Sequence, residues 1–282
     1  MVEGGGCAVS TLSLCSSKVV YIFLDTSDIW SQRAFFEDVL QMAVIENDFH
    51  PPHHRHGVVK YDGGNTIFAL NIGDSGFESA SSDRIVTLLA GSPVREAEIY
   101  AELQIHGYAA PLELGGVFSD RDNHQFAIHR GSLSEGLSDI AVDELHLEVN
   151  DLQQSMCFYG DQLGLELLQK NASSLVFTSD NLKLVLHNKP CGRLAEPRRG
   201  FLTVFHTPDI LKTYYALHDR GVQFRARVRF SEIGGTARFV DPSGHVYCLY
   251  QPSEECLTWG SGPKLMEIIG TGKTHCSNET VH

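Results

Sequence analysis

The sequence predicts an α+β protein built from two similar halves, and two observations support this prediction. The first is a repeat: a polar turn followed by a short strand occurs at 120–129 and again at 241–250, 121 residues later. Both turns contain Asp with Asn or Gly, which suit a reversing backbone. The second is the order of elements, because four successive units each read as a strand, a helix and further strands. A repeat of this length indicates two copies of one domain.

The first half contains the first two units. Apolar residues, many of them β-branched or aromatic, mark the strands, and apolar residues at helical spacing mark the helices. The predicted elements are strands at 18–24, 42–46, 57–61 and 66–72 around a helix at 31–40, followed by a strand at 84–89, a helix at 94–107 and a strand at 126–129.

The second half repeats this pattern after a stretch rich in Ser and Gly at 131–139, which is typical of a linker. Beyond Pro252 the periodicity is lost, and we predict a tail. The predicted elements are a strand from 145, a helix at 153–163, strands near 166, 175 and 184, a strand at 202–206, a helix at 208–220 and strands out to 251.

Composition and charge limit the classes of function. The chain has 282 residues, 42% of them hydrophobic and 20% charged, as in a globular protein. A formal net charge of −13 argues against a nucleic-acid surface and against binding to an acidic membrane. No apolar run has the length of a membrane span, and the N-terminus lacks a secretory pattern. The seven cysteines follow neither metal nor disulfide spacing, so we expect a cytoplasmic protein.

The second half carries motifs that resemble a known superfamily. These are the stretch from Glu144 to Tyr159, the stretch from Gln162 to Leu165, and the turn from Asp241 to Gly244. They resemble the vicinal oxygen chelate superfamily, which includes glyoxalase I, extradiol dioxygenases and bleomycin-resistance proteins. The resemblance implies that pairs of units form curved open sheets, with helices outside and a concave cup inside.

The resemblance also implies a division of the chain into domains. We predict a tail at 1–17, an N-terminal glyoxalase-like domain without metal at 18–130, a linker at 131–140, a C-terminal glyoxalase-like domain at 141–253 with the active or ligand-binding cup, and a tail at 254–282.

In the superfamily each cup usually binds one divalent metal through the first and last strands of its units. Counting from the motifs, the matching positions in the second half are Glu144, Leu202 and Cys248, of which Glu144 is a suitable ligand. In the first half they are Tyr21 and Ala127, neither of which is a metal ligand. The resemblance therefore implies that any site lies in the C-terminal cup.

Strand side chains alternate between faces, so Glu144, His146 and Glu148 share one face. By the same parity the C-terminal cup should hold Glu144, His146, Glu148, His187, His206, Cys248 and Tyr250. Imidazole and carboxylate together suit Fe, Mn, Zn, Co or Ni. The predicted metal ligands are His146, His206 and Glu148, and the predicted catalytic residues are His187, Glu144 and Tyr250.

The same residues also allow an account without metal. Each His can be a half-buried core residue, and Tyr250 can serve packing alone. Cys248 is expected to act as a small hydrophobe. A separate cluster of four histidines at 50–56 lies in a predicted loop, where adventitious metal binding is the expected property.

Two functions follow. The first is an enzyme that acts on a small oxygen-rich molecule in the C-terminal cup with help from a metal, as a dioxygenase, isomerase or lyase. The alternative is a metal-free binding protein of the bleomycin-resistance type, whose apolar pocket includes Tyr21 and Phe23. An enzyme that uses the same His and Glu residues without metal lies between the two. The expected partners are a small molecule and a second copy in a homodimer.

Overall fold

The computed structural model describes residues 13–49, 57–72, 84–111, 113, 115–133, 139–188 and 200–270. Within these residues the chain forms two open mixed sheets with helices packed against them, which confirms the predicted α+β fold. The helices are α1 Ile29–Ala34, α2 Pro93–Ile105, α3 Leu152–Met156, α4 Ile210–Asp219 and α5 Gly262–Gly270, and π-helical turns at Phe35–Val39 and Cys157–Gln162 continue α1 and α3.

The strands lie close to the predicted stretches. They are β1 Val19–Thr26, β2 Val44–Asn47, β3 Val58–Asp62, β4 Ile67–Ile72, β5 Arg84–Ala90, β6 Phe118–Ser119, β7 Gln125–Arg130, β8 Ile140–Val149, β9 Glu166–Lys170, β10 Ser174–Thr178, β11 Lys183–Asn188, β12 Phe201–His206, β13 Gln223–Phe224, β14 Arg229–Ser231, β15 Gly234–Val240 and β16 Val246–Pro252.

Asp residues begin three of the helices. The side chains of Asp28, Asp151 and Asp209 accept hydrogen bonds from the first free N–H groups of α1, α3 and α4. Ser92 does the same for α2, where Pro93 occupies the first turn. These contacts satisfy N–H groups that the helix itself leaves unpaired, and they fix where each helix starts.

Each sheet combines one unit from each half of the chain. The first sheet has the order β13-β15-β16-β12-β1-β4-β3-β2, with β14 beside β15, and the second has the order β6-β7-β5-β8-β11-β10-β9. Strand β1 pairs antiparallel with β12, and β5 pairs antiparallel with β8. The first unit thus shares a sheet with the fourth, and the second with the third. The two units of each sheet therefore come from different halves of the chain.

Within each half the units contact one another through the repeated turns. The hydroxyls of Thr26 and Ser27, at the end of β1, donate to Asp122 in the first turn. In the second half the backbone N–H of Asn150 donates to Ser243 in the second turn. These turn contacts join the two units within each half of the sequence. Each sheet, in contrast, contains strands from both halves.

The main apolar core lies between the helices and the covered faces of both sheets. Phe35, Phe36, Phe68 and Phe126 are fully buried there. A second, smaller cluster lies on the opposite face of the first sheet, where Leu265 and Ile268 of α5 pack against strand residues.

Helix α5 lies in the first part of the predicted tail at 254–282, and positions 271–282 of that tail lie outside the described residues. Its buried residues, Leu265 and Ile268, are three positions apart, as expected for one helical face. The segment is too short for its periodicity to stand out in the sequence. None of the helices described is long and apolar enough to cross a membrane.

Candidate functional site

The face of the second sheet that points away from the helices carries most of the predicted polar site. We call it the second cup, and the corresponding face of the first sheet the first cup. In β8, the buried residues Leu145 and Leu147 face the core, and Glu144, His146 and Glu148 alternate with them on the second cup. The sequence predicted this grouping.

Neighbouring strands place further residues beside these. Glu144 lies between Thr87 of β5 and Lys183 of β11, and His187 of β11 lies opposite Glu148. The row between them is apolar, because His146 is flanked by Ile85 and Val185. Polar groups are therefore concentrated on β8 and β11.

Four side chains form a continuous polar chain across the second cup, which we call the Lys183–His187 chain. The Lys183 Nζ lies 3.1 Å from Glu144 Oε1 and 3.2 Å from Asp143 Oδ1. The other Glu144 oxygen, Oε2, lies 3.0 Å from His146 Nε2. His146 Nδ1 lies 2.9 Å from His187 Nε2, and the two rings are inclined by only 4°.

This geometry fixes the direction of the hydrogen bonds when both imidazoles are neutral. A carboxylate only accepts, so the His146 Nε2 that faces Glu144 carries the proton. His146 Nδ1 is then a lone pair and accepts from His187 Nε2–H. The remaining His187 nitrogen, Nδ1, is consequently unprotonated and can accept a proton.

The charges of the side chains in the Lys183–His187 chain follow from their contacts. The hydrogen bond from His146, together with Lys183, lowers the pKa of Glu144 to about 2, so this carboxylate is ionised at neutral pH. Burial lowers the pKa of Lys183, but hydrogen bonds to Glu144 and Asp143 outweigh burial and raise it. Burial and the nearby His146 lower the pKa of His187, which keeps it neutral at pH 7. A neutral imidazole that is linked through His146 to an ionised carboxylate suits proton transfer.

The remaining predicted site residues lie on the first sheet. His206, Cys248 and Tyr250 all belong to β12 and β16, so the structure does not bring them together with His146. His206 is half-buried, and burial and the nearby Lys18 lower its pKa. Burial raises the pKa of the Cys248 thiol to about 11, in line with its role as a small apolar side chain.

Tyr250 is engaged in structural contacts in the first cup. Its hydroxyl donates to the Ile233 carbonyl at 2.8 Å and lies 3.3 Å from Cys256 Sγ. Its ring packs against Tyr21 at 5.9 Å in an edge arrangement. These contacts favour the packing account of Tyr250.

The donor set does not fit the predicted metal. Among the described residues, no group of three or more His, Cys, Asp or Glu is placed to hold a metal ion. The two nitrogens of His146 face different partners, Glu144 and His187, and His206 is on the other sheet. The predicted set of His146, His206 and Glu148 is therefore not assembled. The histidine cluster at 50–56 lies outside the described residues.

The turn histidines, whose motif first indicated the repeat, are structural. His124 Nδ1 lies 2.7 Å from Asp120 Oδ2, and His245 Nδ1 lies 2.6 Å from Asp241 Oδ2, with both pairs buried. The Asp241 carboxylate also accepts from Tyr159 at 2.8 Å. These contacts brace the turn before the last strand of each half.

Sequence reasoning gave Lys183 no role, although alternation along β11 puts its side chain on the same face as His187. The missing information was the register between β8 and β11, which sets Lys183 directly beside Glu144. Position in the strand alone could not show which acidic residue it contacts.

Comparison with known proteins agrees with this architecture. Residues 141–249 match the family model described as Glyoxalase/Bleomycin resistance protein/Dioxygenase superfamily, which confirms the resemblance seen in the sequence. A search of curated proteins finds no significant match.

Among solved structures, similar folds occur at low sequence identity. Glyoxalase I from Zea mays superposes with a TM-score of 0.64 at 14% identity, covering 92% of this chain and 98% of that one. A point mutant of the same enzyme gives 0.66 at 15% identity, covering 84% and 94%. A Bacillus subtilis protein provisionally assigned as a dioxygenase gives 0.65 at 13%, covering 86% and 87%. At such identities the likeness concerns the fold.

Proposed function

We propose that this chain, which carries a domain of the Glyoxalase/Bleomycin resistance protein/Dioxygenase superfamily, is an enzyme that transfers a proton on a small oxygen-rich molecule bound in the second cup. The observation that carries the proposal is the Lys183–His187 chain, in which Glu144 orients His146 and His146 orients His187.

His187 is the proposed base. Its Nδ1 is the nitrogen left unprotonated, and its lowered pKa keeps it neutral at physiological pH. When His187 takes a proton at Nδ1, the positive charge can be shared with His146 through the 2.9 Å hydrogen bond. The ionised Glu144 at the far end stabilises that charge. A positioned acid–base group of this kind typically accelerates a reaction by about 10²–10⁴-fold.

Lys183 supports the class of substrate. Its pKa is raised, so it is a cation at neutral pH, and its side chain is 40% exposed. An ammonium group at the edge of the cup can donate to a carbonyl or hydroxyl oxygen. Isomerase or lyase chemistry, in which a proton leaves a carbon next to a carbonyl, fits these groups best, and no step of the proposal uses a metal.

We also infer a reducing, cytoplasmic setting. Among the described residues the four cysteines are free, and Cys15 and Cys157 are exposed as thiols. Exposed thiols persist where disulfides are kept reduced.

The test is exchange of carbon-bound protons with solvent. The full chain is incubated in D₂O with a panel of small α-hydroxy ketones and 2-oxo acids, and loss of the proton signal is followed by NMR. We expect exchange of at least one compound, about 10²–10⁴-fold slower in His187→Gln. His218→Gln, which changes an exposed histidine of α4, is the matched control and should be unaffected.

Two outcomes contradict the proposal. Equal exchange rates in His187→Gln and in the unmodified chain exclude His187 as the base. A compound that shifts the His187 resonances but keeps its protons would favour the alternative of a binding protein. Repeating the assay in the presence of EDTA tests the metal-free assignment. Loss of proton exchange under chelation would show that a metal takes part in the reaction.

A further inference from the structure

Lys183 lies between two carboxylates that are neighbours in the sequence. Its Nζ is 3.2 Å from Asp143 Oδ1 and 3.1 Å from Glu144 Oε1. All three side chains are partly exposed, so an ion in solution can reach this position. Neighbouring residues of a regular strand point to opposite faces, and two of them do not normally reach one ammonium group.

A β-bulge in β8 explains how both carboxylates reach the same face. The pairing with β5 skips Asp143, because Val142 and Glu144 on either side of it lie opposite consecutive residues of β5. The buried core residues of β8 confirm the shift, since Val142 and Leu145 are three positions apart instead of two. Bulges re-aim side chains in this way, and they are frequent next to active sites. Asp143 therefore joins Glu144 on the second cup.

The ammonium group stands where these groups would otherwise attract a metal ion. Carboxylates, together with the Nε2 of His146 at 3.0 Å from Glu144, are ligand types that suit a divalent cation. Lys183 occupies the space between the two carboxylates and repels a second cation there. Burial acts to lower the pKa of Lys183, but its hydrogen bonds to the carboxylates raise it, so the group stays charged at neutral pH.

We propose that Lys183 takes the position of the predicted metal ion, as a cation supplied by the chain itself, and that Asp143 is the positioning residue that holds it there. A lysine ammonium has three N–H groups, of which Asp143 and Glu144 accept two, so one is left for an oxygen of the bound molecule. This oxygen-binding role rests on the proposed function, whereas the exclusion of metal by Lys183 does not. A cation that is part of the chain cannot be removed by a chelator.

The experiment removes the ammonium group and asks whether a metal ion replaces it. Lys183→Ala leaves Asp143 and Glu144 without their cation. Lys212→Ala, which removes an exposed lysine of α4, is the control with the same change in net charge. The probe is Mn²⁺, because carboxylates suit it, whereas histidines such as those at 50–56 suit Zn, Cu or Ni. Free Mn²⁺ is counted by its EPR signal in titrations of the full chain.

We expect Lys183→Ala to bind one Mn²⁺ per chain at least tenfold more tightly than the unmodified chain or Lys212→Ala. The double variant Lys183→Ala/Asp143→Asn should lose this gain, because Glu144 is then the one carboxylate left at the position. Lys183→Gln keeps most of the stem and removes the charge. It should show the same gain, and it replaces Lys183→Ala if that variant does not fold.

Two results would overturn the proposal. If Lys183→Ala binds Mn²⁺ no better than Lys212→Ala, the two carboxylates do not form a cation position that the lysine fills. If the unmodified chain already binds Mn²⁺ and Asp143→Asn abolishes this binding, metal and lysine do not exclude one another. Neither result depends on turnover, so this test and the test of His187 as the base can fail separately.

Discussion

Asn65 and Asn181 form a reciprocal clasp between the two sheets. The Asn65 side chain donates to the Val142 carbonyl at 2.7 Å and accepts from the Val142 N–H at 3.0 Å. Asn181 makes the same pair of bonds with Val19, both at 2.9 Å. Each amide also donates to the backbone carbonyl of the other Asn, at 2.7 and 2.8 Å. Each side chain thus substitutes for a strand partner at the start of a central strand.

We expect the clasp to be cooperative. Asn65→Ala and Asn181→Ala should each lower the free energy of unfolding by about 2–3 kcal/mol, since each leaves backbone groups of the other sheet unpaired. The double variant should cost about 1 kcal/mol less than the sum, because the two amides share contacts. Urea unfolding measures the free energy of unfolding of the two single variants and of the double variant. Asn71→Ala, which removes one side-chain hydrogen bond to Asp25, is the control and should cost less. Strict additivity would contradict the clasp.

Glu144 should make stability depend on pH in acid. Its pKa in the folded chain is about 2, below its ordinary value of 4.5. The carboxylate therefore stabilises the fold above pH 4.5, and this contribution is lost as the pH falls towards 2. At pH 7 it amounts to up to ~3 kcal/mol. The difference in unfolding free energy between the unmodified chain and Glu144→Gln should shrink from pH 7 to pH 3. A difference that stays constant would show that Glu144 is not held as an anion.

His187 should titrate below its ordinary pKa of 6.5. Because the folded value is the lower one, His187 contributes stability above pH 6.5 that is lost as the pH falls through its folded pKa. An NMR titration of the His187 ring measures this directly. Burial and the neighbouring His146 are the causes, so His146→Phe should raise the pKa of His187 part of the way back. A His187 pKa above 6.5 would contradict the proposed neutral base.

Arg84 should tolerate replacement by a large apolar residue better than replacement by a small one. It is buried, its Nη1 donates to the Phe201 carbonyl at 2.8 Å, and its Nε and Nη2 find no hydrogen-bond partner among the described residues. Arg84→Met removes unpaired donors and keeps the volume, so we expect its stability to stay within about 1 kcal/mol of the unmodified chain. Arg84→Ala leaves a cavity and should cost about 2–5 kcal/mol. Thermal unfolding measures the loss of stability in each variant. Equal losses of stability in the two variants would show that the charge of Arg84 itself is needed.

The second cup shows which features of the site local sequence patterns can predict and which they cannot. Alternation in a strand predicts that Glu144 and His146 share a face, and the register of β8 agrees. The same rule places Lys183 and His187 together. It cannot give the distances between strands, so the hydrogen bond between His146 and His187 was not foreseeable.

The sequence could not predict how the four units are divided between the two sheets, and the reason is a different one. A strand of the fourth unit satisfies its apolar pattern equally well beside the third unit or beside the first. The choice depends on contacts between distant residues, such as Asn181 with Val19, which no local pattern reports. His206 was therefore assigned to the wrong cup, although its strand and its parity were predicted.

The crossing of the sheets has a consequence for biosynthesis. Among the described residues, the antiparallel partner of β1 is β12, where Val19 lies opposite Phe205. At a synthesis rate of about 5–20 residues per second, β1 waits roughly ten to forty seconds on the ribosome before that partner emerges. During this interval one edge of β1 offers unpaired backbone groups to any other extended chain. We therefore expect the first half to aggregate when it is expressed without the second half.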